Sequence, residues 1–156
     1  LHGSRDPHSE PLGTSGGGIC TSGADNEVWS YGEDVYNICV EYMHIRERIK
    51  PYVREQMKAA HEKGTPVIRP LFYDFPQDGR TWDIEDQYMF GPDLLVAPVL
   101  HAGAKTREVY LPAGASWRNA WTGQKLQGGQ TIEVETPIHE IPLFFKDDAQ
   151  LPIKLA

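Results

Sequence analysis

The chain has 156 residues, room for one modest domain or for one small domain with a piece of another. Hydrophobic residues make up 40% and charged residues 24%, an ordinary globular composition, and no apolar run approaches the roughly 20 residues of a membrane span. Lys and Arg number 15 against 22 Asp and Glu, and the formal charge of -7 repels nucleic acid and anionic membranes, so neither is expected as a partner.

The N-terminus lacks the basic-then-apolar pattern of a signal peptide. The first residue is Leu1, so the sequence reads as a fragment or a processed product. Residues 1–29 are rich in Gly, Ser, Pro and Asp, with Gly16, Gly17 and Gly18 in succession, and read as a long loop. From 31 to 63, Val35, Ile38, Cys39, Tyr42, Ile45, Ile49, Tyr52, Val53, Met57 and Ala60 recur at spacings of three and four, which predicts a helix with one buried face. Ser30 and Glu33 form a capping box at its start, and Gly64 suits the left-handed residue that ends a helix. Pro51 predicts a kink or break near Lys50. An unbroken helix here would be about 50 Å long, so its apolar stripe needs a larger body, or a second copy of the chain, to cover it.

After Gly64 the period becomes alternating, in short runs between Gly, Pro and Asp turns. Strands are predicted at 67–75, 94–100, 108–111, 116–121, 131–135 and 141–146. Ile132 and Val134 face one way and Glu133 and Glu135 the other, as in a sheet with one wet face. The segment 94–99 is nearly all apolar and belongs at the centre of the sheet. No helix of crossover length lies between these strands, which predicts an antiparallel sandwich with Leu94, Val96, Val99, Tyr110 and Ile132 in its core.

Few residues offer chemistry. Asp74, Asp78, Asp83, Glu85 and Asp86 supply enough carboxylates for a glycosidase pair, but acidic residues between strands are usually turn formers and solvated charges. The glycine run lacks the Lys-Ser/Thr ending and preceding strand of a phosphate loop. Cys20 has no assignable histidine partner. His8, His44, His61, His101 and His139 fall at no metal-ligand spacing, so neither metal nor cofactor is expected. Cys20 and Cys39 are too few for a disulfide scaffold, which favours a reduced, cytoplasmic protein. Trp29, Trp82, Trp117 and Trp121 could stack on sugar rings or pack the sandwich.

Several motifs in order carry more information than any of these residues. The opening LHGSRDP, then RERIKPY, GTPVIRPLFYDFP, DQYMFGPDLLVAPV, REVYLPAG and WTG together resemble the C-terminal part of family 31 glycoside hydrolases, the α-glucosidases and α-xylosidases. The stretch 86–123 is the most family-specific. The resemblance implies an α+β chain in which residues 1–64 are the end of a catalytic (β/α)8 barrel, with the loop after strand 8 and the last helix. Residues 65–156 would be the proximal C-terminal β-sandwich. It also implies that His2, in the His-Gly pair after the last barrel strand, hydrogen-bonds sugar hydroxyls. The family's nucleophile and acid/base aspartates belong to earlier barrel strands, upstream of Leu1. The implied partners are the rest of the barrel and an α-linked oligosaccharide. A second reading, a stand-alone carbohydrate- or protein-binding module using Trp82, Trp117 or Trp121, stays open. Glucosidase, xylosidase, lyase and transglycosidase are not separable on these residues.

Overall fold

The computed structural model describes residues 28–154. The chain divides into two compact units, Leu1–Arg46 and Glu47–Ala156. In the first, the described residues are a turn leading into helix α1, Glu33–Arg48, whose last two residues already belong to the second unit. Helix α2 covers Lys50–Lys63, so the expected long helix is two helices parted at Ile49 (φ -86°, ψ 1°). Pro51, in the first turn of α2, is the cause. Its ring has no N–H to donate to Glu47 and would clash with that carbonyl in a continuous helix.

Two details of the helix differ from the sequence pattern. The helix begins at Glu33, behind Gly32 at φ 90°, so Ser30 lies in the preceding turn and no capping box forms on it. Along α2 the buried residues are Tyr52 and Gln56, whereas Met57 is 58% exposed. Gln56 is buried in place of Met57 because the turn at Gly91 sits over the Tyr52 side of the helix. Gly64 ends α2 as expected, with φ 69° and its N–H donated to the Ala60 carbonyl.

Among the described residues eight strands follow, two more than the alternation predicts: β1 Ile68–Pro70, β2 Tyr88–Phe90, β3 Leu94–Val96, β4 Thr106–Leu111, β5 Ser116–Asn119, β6 Lys125–Gln127, β7 Gln130–Glu135 and β8 Leu143–Lys146. They form a six-stranded sheet in the order β1-β2-β3-β8-β5-β6 and a two-stranded sheet β4-β7, with every pairing antiparallel. The strands β2 and β6 escaped the reading because three residues are too few to show a period. The run expected as a strand over 67–75 pairs only at Ile68–Pro70. Pro70, extended at φ -63° and ψ 153°, then starts a single helical turn, α3, Leu71–Asp74, whose Leu71 carbonyl accepts from Phe75 N–H at 3.0 Å. Pro98 ends the run that began at Leu94, since it cannot donate to a ladder. Val99, expected in the core, is therefore 38% exposed.

The two sheets enclose one core of Leu71, Phe75, Met89, Leu95, Ala97, Val109, Leu111, Trp117 and Phe144, against which Ile132 and Val134 pack. Each such fully buried side chain contributes about 1.5–3 kcal/mol. The strand β3 is buried along its whole length in the middle of the larger sheet, as its apolar run implies. On β7, Ile132 and Val134 turn inward and Glu133 and Glu135 outward.

Three polar ties fasten the sandwich and the helix against it. Gln87, buried just before β2, donates Nε2–H to the Tyr110 carbonyl and accepts the Tyr110 N–H, both at 2.8 Å, so one amide joins the two sheets. On α2, the Tyr52 hydroxyl donates to the Phe90 carbonyl at 2.9 Å and accepts Asp93 N–H at 3.3 Å, which fastens the helix to the β2–β3 turn. Burial, reinforced by the Asp93 carboxylate, pushes the Tyr52 phenol well above its ordinary range, so it stays protonated. Arg48 adds a third tie, donating to the carbonyls of Pro152 at 3.0 Å and Ile153 at 2.8 Å.

Candidate functional site

His2 and Cys20 lie outside the described residues, as does nearly all of the loop expected over 1–29. The carboxylates anticipated between the strands are within view, and three of the five are structural. Asp74 pairs with Arg69 at 2.9 Å, both largely buried. Asp86 takes Arg107 at 2.8 Å, and the same guanidinium reaches the Pro98 carbonyl. Asp78 is a hub: Oδ2 accepts from the Tyr110 hydroxyl at 2.6 Å and from Ala113 N–H at 2.8 Å, while Oδ1 accepts from Arg80 N–H at 3.2 Å. Asp83 and Glu85 are exposed. Among the described residues no group of three or more His, Cys, Asp or Glu could hold a metal ion. Nor is any helix there long and apolar enough to cross a membrane.

Asp78 carries a measurable consequence. Burial raises its carboxyl, but the bonds from Tyr110, Ala113 and Arg80, together with the Arg80 charge, outweigh this and hold it below its ordinary range. A carboxyl lowered in the folded state stabilises above its unfolded value and loses that contribution as pH falls through the folded one. The melting temperature should therefore drop as pH falls below about 4. Asp78→Asn should flatten that part of the profile, and identical profiles for the two proteins would refute the assignment. The partner phenol responds oppositely: burial and the Asp78 hydrogen bond push Tyr110 up to about 12.

The tryptophans separate sharply. Trp117 is 1% exposed and belongs to the core, its indole N–H donated to the Pro112 carbonyl at 3.0 Å, so it offers no face to a sugar. Trp121 is half-buried and donates to the Ile141 carbonyl at 2.6 Å. Trp82 is 58% exposed. It stacks on Phe72 with centroids 4.6 Å apart and 8° between the planes.

Hollows in the sandwich are shallow in chemistry. The widest of those described, about 830 Å³, lies between the loops after β3 and after β7, with Val99, Ile138 and Ile141 as apolar walls and His101, Glu135 and Glu140 as ionisable groups. A polar one of about 460 Å³ contains Ser116, whose hydroxyl donates to Asp147 at 3.2 Å, and no histidine lines it. Among the described residues Ser116 therefore has no histidine there to activate it as a nucleophile.

Residues 64–150 match the model of the glycosyl hydrolase family 31 C-terminal domain. The chain belongs to glycoside hydrolase family 31. Among curated proteins, an α-xylosidase of Saccharolobus solfataricus is 35% identical over 127 residues, which cover 81% of this chain and 17% of that protein. An α-glucosidase 2 of Bacillus thermoamyloliquefaciens is 32% identical, over 81% of this chain and 16% of that protein. Among solved structures, a family 31 α-xylosidase from a soil metagenome, complexed with xylose, is 48% identical with a TM-score of 0.80, covering 94% of this chain and 21% of that one. A Flavobacterium johnsoniae dextranase complexed with isomaltotriose is 36% identical with a TM-score of 0.74, covering 77% and 15%. This family 31 chain thus spans about a fifth or less of the length of these relatives.

The family-specific motif now has a physical content. In DQYMFGPDLL, Asp86 holds Arg107, Gln87 joins the sheets, Met89 is fully buried, Gly91 lies under Tyr52, and Leu94 and Leu95 enter the core. Nothing in the spacing of the motif announces the Gln87 bridge, which depends on a strand 23 residues away.

Proposed function

We propose that this chain is the C-terminal portion of a retaining α-glycosidase, acting on terminal α-linked glucose or xylose. Residues 1–64 supply the end of the catalytic barrel and residues 65–156 the sandwich that buttresses it. The observation that carries this reading is the similarity to the soil-metagenome α-xylosidase over 94% of the chain, beyond the matched domain. In the complete enzyme one aspartate attacks the anomeric carbon, while the other protonates the leaving oxygen and then activates water. By the family resemblance, both belong to earlier barrel strands, ahead of Leu1. His2 holds hydroxyls of the sugar as its ring flattens, a positioning and electrostatic role.

The chain by itself is accordingly inactive. Incubated with aryl α-xyloside or aryl α-glucoside, the pure 156-residue chain should release no aglycone above the buffer rate. Turnover abolished by His2→Ala would overturn the reading. The coding sequence ahead of Leu1 provides an independent check, since barrel strands bearing two such aspartates are required there.

A further inference from the structure

We propose that the Asp78–Gly79 peptide is a latent site of covalent modification, which isomerises to isoaspartate through a cyclic imide when the hydrogen bond from Tyr110 opens and is held shut by the closed sandwich. It is the only Asp-Gly pair in the sequence, and no Asn-Gly pair accompanies it. A glycine after the acid leaves the attacking backbone nitrogen uncrowded. The Gly79 nitrogen attacks Asp78 Cγ: the N–C bond forms, the nitrogen's proton and the carboxyl hydroxyl depart together as one water, and a five-membered imide remains. Water then adds back at either ring carbonyl. Addition at Cγ restores aspartate, whereas addition at the main-chain carbon routes the chain through Cβ and Cγ as isoaspartate. Water is the sole co-reactant.

Gly79 is exposed, and a Cβ placed on it would meet nothing within 4 Å, so packing does not demand glycine there. The acid is restrained at each of its oxygens. Oδ1 accepts Arg80 N–H at 3.2 Å, and Oδ2 accepts the Tyr110 hydroxyl at 2.6 Å and Ala113 N–H at 2.8 Å. The main-chain carbonyl accepts Thr81 N–H at 3.0 Å and lies 2.8 Å from the hydroxyl of that fully buried threonine. At ψ 100° this arrangement turns the Gly79 nitrogen away from Cβ, whereas ring closure needs the two eclipsed about the Cα–C bond. Only the protonated carboxyl can release water, and against the upward push of burial the bonds from Tyr110, Ala113 and Arg80 hold Asp78 below its ordinary range. Tyr110 lies on β4 and Ala113 in the turn after it, so the site is shut only while β4 is in place. The product carries its free carboxylate directly on Cα, one methylene short of both donors, so each event also unfastens the tie.

The test incubates the 156-residue chain in heavy-oxygen water, folded and in guanidinium chloride, beside Tyr110→Phe and Gly79→Ala. Peptide mapping then reads oxygen label at position 78 and resistance to a protease that cleaves before aspartate but not before isoaspartate. The unfolded parent should isomerise about tenfold or more faster than the folded one, in which only the opened fraction reacts. Folded Tyr110→Phe, which lacks the phenol bond to the carboxylate, should exceed the folded parent by about fivefold or more. Unfolded Gly79→Ala, with a methyl beside the attacking nitrogen, should fall about fivefold or more below the unfolded parent. Equal rates for the folded and unfolded parent overturn the proposal, and that comparison decides it even if Tyr110→Phe does not fold. Equal rates for the parent and a folded Tyr110→Phe also overturn it, as does isoaspartate that forms at other aspartates and not at position 78.

Discussion

Replacing Gln87 by leucine should lower the stability of the sandwich by about 2–5 kcal/mol, and its melting temperature by about 10 °C or more. Gln87 is 5% exposed and bonds both the N–H and the carbonyl of Tyr110 at 2.8 Å. Leucine fills a similar volume but leaves both backbone groups buried and unpaired, at about 1–3 kcal/mol each. Against a usual domain stability of about 5–15 kcal/mol this is a large share. Gln87→Glu is an informative companion. Its carboxylate still accepts the Tyr110 N–H, yet it faces the Tyr110 carbonyl with no proton to offer, so it too should destabilise. Urea titration of the three proteins decides the matter, and a midpoint unchanged in Gln87→Leu would show that the amide is dispensable.

Gly91→Ala should cost about 2–5 kcal/mol by dislodging α2 from the β2–β3 turn. At φ +62° an alanine is strained in any surroundings, and its Cβ would lie 2.1 Å from the Tyr52 hydroxyl oxygen and 3.0 Å from Gln56 Cγ. Neither neighbour has free space, since Tyr52 is 9% and Gln56 7% exposed. Movement of Tyr52 also breaks its bonds to Phe90 and Asp93. The double variant Gly91→Ala, Tyr52→Phe isolates the clash: removing the hydroxyl relieves the nearest contact, so the alanine should be less harmful in the Phe background. An equal penalty in both backgrounds would mean that backbone strain alone is responsible.

These sites show where sequence reading succeeds and where it stops. The break at Ile49 was readable from Pro51, because a missing N–H and a clashing ring act on the adjacent turn. The inward set on β7 was readable because side chains alternate on any strand. Gln87 was not readable. A polar residue before Tyr88 looks like a solvated strand end until β4, 23 residues on, closes over it. Asp78 likewise reads as a turn former and does cap the 3-10 turn, but its bonds to Tyr110 and Ala113 reach 32 and 35 residues along the chain. Of the candidate site, His2 rests on family resemblance and lies outside residues 28–154, whereas the tryptophans could be sorted only by packing. Trp117 and Trp82 are equally good sugar platforms on paper, yet one is 1% and the other 58% exposed.

By itself, then, the sequence determined the α+β class, the division into a broken helix and a run of antiparallel strands, the closure at Gly64 and membership of family 31. Each of these follows from interactions between near neighbours in the chain, or from motif order, and so survives without coordinates. Only the tertiary structure decided that Gln87 joins the sheets, that Asp74 and Asp86 pair with arginines while Asp78 takes Tyr110, and that Trp82 keeps a face to water. Burial and hydrogen-bond partners are set by segments distant in sequence, and residue type alone carries no record of which segments those are.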